Sequence, residues 1–296
     1  MVRSSAVDVT VIVPTMGRPE QLRRCLASLC SCDPRPEQIL VVDQSGMEAV
    51  AAVVRAHAGH GVELERSHGV GMAEGTNTGA RAARHDRLLK TDDDCTVRPD
   101  WAGRAAGLLQ EAPDTMYTGR VLARTAPERV PSLIADAERR DYFGEPVVGK
   151  LFAGNMAVSR SAFLGIGGFD QRFALSSEDN DLCWRWLSAG RRLVYEPELV
   201  VWHEDWRTPQ QLEALYVRYA RGQGHFYAKH LLAGDRRVLP FLRRELRWGA
   251  AGLRARATTG RPRWSDWRQG ILRGTPMGLL EGLRLFSADF SWPRAR

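Results

Sequence analysis

Short β-branched runs alternate with amphipathic helical stretches across residues 7–91, a rhythm that few folds accept. Residues 7–13, VDVTVIV, have the character of a buried strand. Pro14 interrupts the run, and Pro19 opens a helical pattern with Leu22, Cys25, Leu26 and Leu29 on one face. QILVVD (38–43) is a second short strand, followed by helical MEAVAAVVRAHA (47–58), which Gly59 closes. VELERS (62–67) is a third strand, the glycine-rich stretch 68–85 is part loop and part helix, and RLLKT (87–91) is a fourth strand. Such βαβα alternation implies a parallel sheet with helices on both faces.

In open sheets of this kind ligands gather outside the carboxyl ends of the strands. Polar PTMGR (14–18) follows the first predicted strand, Asp43 ends the second, and Asp92, Asp93 and Asp94 follow the fourth. Three adjacent carboxylates repel one another and favour neither helix nor strand, so the run is either a solvated turn or a place where something positive binds. Because several strand ends converge on it, a ligand site is the expectation. Carboxylates without Cys/His zinc spacing favour a hard divalent cation, Mg²⁺ or Mn²⁺, shared with a substrate's phosphates. A calcium EF-hand is excluded, since Val97 and Gly103 stand where the loop needs Gly and Glu. No Walker A or GxGxxG pattern is present.

Beyond Trp101 the pattern predicts a helix to Glu111 and a strand over 116–124, while 125–148 carries no assignable period. Ser176 or Ser177 can cap a helix starting near Glu178, and Gly190 can end it. Its first turn holds Glu178, Asp179 and Asp181, acids that the helix dipole alone would favour. Asp181 and Arg185 are spaced to pair, and of Trp184 and Trp186 at least one belongs to the core, because residues two apart on a helix point different ways. Thr208-Pro209 opens a further helix to about His230, 240–255 suggests another, and Gly, Arg and Pro at 260–263 mark a loop.

The net charge of +7 is uneven: residues 207–296 carry 18 Lys+Arg against 6 Asp+Glu, together with Trp248, Trp264, Trp267 and Trp292. Such a stretch suits an anionic membrane surface or acceptor, and equally a solvated helical face. Nucleic acid is not an expected partner, since no nucleic-acid motif accompanies the charge. No apolar run approaches the roughly 20 residues that span a bilayer. Five cysteines without a CxxC pair or a signal-peptide pattern point to a reducing, cytoplasmic location, with peripheral contact at the inner membrane face as an option.

Taken in order, VTVIVPTMGRPEQLRRCLASL, ILVVDQSG, KTDDDC, GNMAVSRSAFLGIGGFDQRF, SSEDNDLCWRWLSAG and LVVWHE resemble the family 2 glycosyltransferases over roughly residues 7–205. The resemblance implies a GT-A, Rossmann-like α/β fold in residues 1–205, with a mixed, mostly parallel sheet flanked by helices. A basic, mainly helical C-terminal extension would occupy 206–296. It further implies inverting transfer of a sugar from a nucleotide-diphosphate donor, UDP first and dTDP or GDP as alternatives. The acceptor would be a hydroxyl on a glycan, a lipid-linked intermediate or a small metabolite. Carried over by motif, Pro14, Thr15, Asp43, Asn77, Asp92 and Asp93 are expected at the nucleotide. Asp94, Asp92 and His203 are expected as ligands of Mn²⁺ or Mg²⁺, Asp179 as the general base, and Glu178, Asn155 and Trp184 beside donor sugar or acceptor. One departure is visible: Thr76-Asn77-Thr78-Gly79 lacks the Arg that many members carry before Asn, and Arg81 or Arg84 are the nearest substitutes. A non-catalytic nucleotide-sugar or glycan binding module would have no use for a base. A metal-dependent nucleotidyltransferase would carry a glycine-rich basic loop that PTMGRPEQ does not supply.

Overall fold

The computed structural model describes residues 6–259 and 268–287; Trp264, Trp267 and Trp292 lie outside them. In chain order the elements are β1 (Ala6–Thr15), α1 (Pro19–Cys30), β2 (Arg35–Asp43), α2 (Glu48–His57), β3 (Val62–Arg66), α3 (Met72–Ala82), β4 (Arg87–Thr91), β5 (Cys95–Val97) and α4 (Trp101–Glu111). They continue with β6 (Thr115–Ala123), β7 (Arg140–Tyr142), β8 (Asn155–Ser159), α5 (Arg160–Gly165), α6 (Glu178–Ser188), β9 (Arg192–His203), α7 (Pro209–Leu232), α8 (Leu239–Thr259) and α9 (Arg268–Phe286). The chain divides into two compact units, Met1–Gln171 with Asp179–Asp205 and Arg172–Glu178 with Trp206–Arg296.

The first unit is built on one sheet in the order β3-β2-β1-β4-β8-β6-β9-β5, with β7 beside β9. β3, β2, β1 and β4 pair in parallel, and so do β6 and β9. β8 runs antiparallel between β4 and β6, and β5 and β7 run antiparallel to β9. The sheet is therefore mixed and mostly parallel. The βαβα rhythm alone predicts only its parallel half, because β5 and β7 are three residues long and too short to show a period.

Burial on both faces explains the uninterrupted apolar strands. Val11 and Val13 of β1 join a core with Leu22 and Leu26 of α1, Val50 of α2 and Trp101 of α4. Ile12, between them, points the other way into a core with Leu88, Val158, Phe163 and Trp186. β1 continues through Pro14, opposite Val42, to Thr15, so the proline ends the pairing one residue later than the sequence pattern suggests. The second helix likewise passes Gly59, through one turn of 3-10 helix, and stops at Gly61, whose φ of 77° only glycine adopts without strain. Gly190, with φ 72°, ends α6 as expected.

In the second unit, α7 starts with a complete capping box: Thr208 Oγ1 accepts from the Gln211 N–H, and the Thr208 N–H donates to Gln211 Oε1. α9 packs on α7 through glycines four residues apart. A Cβ on Gly270, Gly274 or Gly278 would stand 2.5, 2.4 or 1.8 Å from the carbonyl oxygens of Tyr216, Val217 and Arg221. Buried Glu245 accepts from Tyr227 Oη and Thr275 Oγ1, each at 2.7 Å. Trp248, Met277, Leu280 and Leu283 are exposed, as are Arg243, Arg247, Arg273 and Arg284. Among the described residues no helix is long and apolar enough to cross a membrane.

Candidate active site

The turn Asp92-Asp93-Asp94 joins β4 to β5 and sends its carboxylates to two sides. Asp93 is wholly buried. Its Oδ2 accepts from Thr15 Oγ1 at 2.7 Å and Arg18 Nε at 3.1 Å, and its Oδ1 from Arg18 Nη2. Burial pushes the Asp93 carboxyl up to about 7; Arg18 and the Thr15 hydroxyl pull against that rise, and Asp94 adds to it. Arg18 Nη1 also donates to Asp94 Oδ2 at 2.8 Å. The other oxygen, Asp94 Oδ1, faces His203 Nε2 at 3.6 Å, beyond hydrogen-bond length.

His203 ends β9, and its Nδ1 lies 2.8 Å from the carbonyl oxygen of Glu204. A carbonyl can only accept, so Nδ1 carries the hydrogen, and in the neutral ring Nε2 turns its lone pair toward Asp94. Cys95, paired across the sheet with His203, is also buried, and Asp94, Cys95 and His203 bring one ligand atom each within 4.8 Å of one another. A carboxylate and an imidazole lone pair meeting in a buried strand-end site are divalent-cation donor chemistry. These residues fit a cation of that class. Burial, with Asp92 and Asp94 adding to it, holds the Cys95 thiol well above its ordinary range.

Asp92 turns the other way. Its Oδ1 pairs with Lys90 Nζ, a lysine only 1% exposed, next to the end of β4. A Cβ on Gly154 would stand 2.6 Å from Asp92 Oδ2, so the glycine leaves room for this carboxylate. Asp179, in the first turn of α6, is partly buried, and its Oδ1 accepts from the Asn180 N–H at 2.7 Å. Burial raises the Asp179 carboxyl to about 6; the Asn180 N–H and Lys90 draw it back, and Asp92 pushes it further up. It is mostly ionised at neutral pH and still basic enough to take a proton. Lys90 and Arg18 were not singled out by the sequence pattern. The available signal for Lys90 is a lysine on the inward alternation of a strand whose neighbours are all buried.

At the end of β2, Asp43 Oδ1 accepts from the Ser45 N–H at 2.8 Å and Ser45 Oγ at 2.7 Å. Its Oδ2 is buried without a hydrogen-bond partner, with Arg66 Nη1 at 4.0 Å. A buried carboxylate oxygen left bare is costly, and a donor from a ligand would relieve it. Pro14 is buried at the end of β1, next to Thr15.

Three of the expected contact residues, Asn77, Asn155 and Trp184, are buried. Asn77 donates from Nδ2 to the Phe169 carbonyl at 2.8 Å and accepts the Phe169 N–H on Oδ1 at 3.0 Å, latching α3 to the GGFD loop. Asn155 Oδ1 accepts from Trp101 Nε1, and its Nδ2 donates to the carbonyls of Arg120 and Leu199, all at 2.9 Å. Trp184, 1% exposed, presents no surface to a sugar in this conformation, and Trp186 is buried as well. Sequence spacing does not reveal this burial. Asp181 and Arg185 do pair, at 2.8 Å, and Arg185 also donates to the carbonyls of Ile166 and Gly168, which fixes the GGFD loop to α6. Arg81 and Arg84 pair with Glu74 and Glu63 at exposed positions. Glu178 falls in the second unit. There Ser177, with φ 71°, donates to Gln223 Oε1, and Ser176 Oγ donates to the Tyr219 carbonyl.

The mixed sheet with acids gathered at its carboxyl edge is a GT-A fold. A mannosyltransferase from Pyrobaculum calidifontis, solved in complex with GDP-Man and Mn²⁺, matches with a TM-score of 0.61 at 20% identity, covering 97% of this chain and 88% of that one. At that identity the likeness is one of fold. Residues 6–224 match the family described as Glycosyltransferase like family 2, and the chain belongs to that family. It is 30% identical over 207 residues to a pre-mycofactocin glycosyltransferase of Mycobacterium tuberculosis, covering 67% of this chain and 43% of the relative. The chain thus spans less than half the length of that relative. It is also 28% identical over 282 residues to an N-acetylglucosaminyl-diphospho-decaprenol L-rhamnosyltransferase of the same organism, covering 82% and 87% of the two chains.

Proposed function

We propose that this chain transfers a sugar, with inversion, from a nucleotide-diphosphate donor to an acceptor hydroxyl in a single displacement. The observation that carries the reading is the division of the acidic turn, with Asp94 meeting His203 on one side and Asp92 joining Lys90 near Asp179 on the other.

Asp179 acts as general base. The attacking hydroxyl is a weak nucleophile, and a carboxylate that takes its proton during attack contributes roughly 10²–10⁴-fold. Lys90 pairs with Asp92 and draws the Asp179 carboxyl down, and the Asn180 N–H orients the Asp179 carboxylate. A divalent cation, Mn²⁺ or Mg²⁺, held by Asp94 and His203 would supply Lewis-acid neutralisation of the charge developing on the leaving diphosphate. Arg18 holds Asp93 and Asp94 in place, and Thr15 fixes Asp93. Asp43, through its bare Oδ2, receives a donor N–H of the nucleobase, and Pro14 and Thr15 border the nucleotide. One base and a neutralised leaving group suffice for a single displacement without a covalent enzyme intermediate.

UDP is the first donor nucleotide to try, with dTDP and GDP next. A lipid-linked glycan is the favoured acceptor: the decaprenol-named relative aligns over most of both chains, and in the second unit exposed Trp248, Met277, Leu280 and Leu283 lie among exposed arginines, a composition suited to peripheral contact with an anionic membrane. Calorimetry with UDP, dTDP, GDP and CDP, with and without Mn²⁺, tests the reading. Metal-dependent binding of one nucleotide is expected. Absence of binding to all four by folded protein would refute it.

A further inference from the structure

Behind the acidic turn lies a donor that a cation shared only with phosphates does not need, the thiol of Cys95. Cys95 is fully buried on β5 and stands directly opposite His203 of antiparallel β9, so both side chains leave the same face of the sheet. Asp94 precedes it, and the three ligand atoms lie within 4.8 Å of one another. His203 Nδ1 is held by the Glu204 carbonyl at 2.8 Å, and Asp94 Oδ2 by Arg18 Nη1 at 2.8 Å. His203 Nε2 and Asp94 Oδ1 are the atoms turned to each other, at 3.6 Å.

We propose that Cys95 is a third protein ligand of the cation at Asp94 and His203, making a carboxylate–thiolate–imidazole site that prefers thiophilic divalent ions such as Zn²⁺ and Co²⁺ to Mg²⁺. This rests on the reading of Asp94 and His203 as cation ligands. Sulfur is a soft donor: Mg²⁺ takes oxygen and Mn²⁺ stands lowest in the divalent affinity order, whereas Zn²⁺ accepts Cys, His and Asp together. Three protein ligands also leave a position open for a diphosphate oxygen. On coordination the S–H bond breaks, the proton passes to solvent and the sulfur electron pair goes to the cation, with no change in oxidation state. The competing role, a small apolar side chain filling space under α1, makes no use of that electron pair.

Co²⁺ titrated into the whole chain, with and without UDP and followed by absorption, separates the two roles. The expected result is a near-ultraviolet sulfur-to-cobalt charge-transfer band that stoichiometric Zn²⁺ abolishes. Cys95→Ser should lose the band while still binding Co²⁺, and should weaken Zn²⁺ by at least about 10–100-fold, the loss already typical of outer-shell changes, with a much smaller effect on Mn²⁺. Cys25→Ser, which removes another buried thiol, should keep the band. Bound Co²⁺ without the band, or the same band in Cys95→Ser, overturns the proposal and leaves the Asp94–His203 site standing. No Co²⁺ binding under either condition overturns both. Should the serine variant fail to fold, X-ray absorption of the Zn²⁺-loaded natural chain decides alone: a sulfur neighbour at about 2.3 Å supports the ligand, and a shell of nitrogen and oxygen only refutes it.

Discussion

On one side of the acidic turn a fully buried lysine on a strand, Lys90, balances Asp92 and Asp179; on the other, Asp93 and Asp94 are balanced by Arg18, whose side chain is 28% exposed and comes from the loop before α1. Lys90 lies within a central strand of the sheet. Arg18 is more exposed, and on its side His203 Nε2 lies 3.6 Å from Asp94 Oδ1. The same residue type, repeated three times, thus serves two purposes according to its counter-charge. In the proposed mechanism the buried positive charge serves the base, and the more exposed one lies where a cation and a diphosphate would enter.

Breaking the base side should cost most. Asp179→Asn should lower kcat by about 10²–10⁴-fold, while calorimetric binding of nucleotide with Mn²⁺ stays intact. Lys90→Met leaves two partly buried carboxylates without their lysine. Removing one partner of a buried pair typically costs about 3–5 kcal/mol, so thermal unfolding should shift clearly downward. In this variant the acid limb of the kcat/KM profile should also move to higher pH, because the positive charge that draws the Asp179 carboxyl down is gone.

Breaking the cation side should act on binding. His203→Ala should weaken Mn²⁺ in the nucleotide complex by at least about 10–100-fold, read by calorimetry, with little change in unfolding temperature. The pH dependence sharpens the contrast further. Asp179 must be ionised and its carboxyl sits at about 6, so kcat/KM should be level above that pH and fall about tenfold per unit below it. In the second unit, away from this chemistry, Thr208→Ala should cost about 0.5–2 kcal/mol through its lost capping box and leave the pH profile unchanged.

The contrast also shows why some of the site was legible in the sequence and some was not. Strand ends are marked by composition: β1 to β4 could be read as apolar runs, and Asp43 and the acidic turn stand where those runs stop. The capping box of α7 and the Asp181–Arg185 pair are local, so four-residue spacing reveals them. Burial set by distant partners leaves no such trace. Asn155 looks like a loop residue beside Gly154, yet Trp101, Arg120 and Leu199 use its whole amide. Asn77 is likewise consumed by the main chain of Phe169, 92 positions along the sequence. Lys90 escapes notice for the opposite reason, since a lysine in RLLKT reads as a strand-edge charge until the strand proves to be central. β8 carries an apolar run like its neighbours, so nothing in the sequence marks its antiparallel direction.

The most direct test of the account is a paired measurement on Asp179→Asn: sugar transfer to an acceptor, and Mn²⁺-dependent binding of the donor nucleotide to the same sample. The account predicts that transfer collapses while binding is unchanged. Normal turnover in this variant would contradict it, because a base that can lose its charge without consequence is not the base.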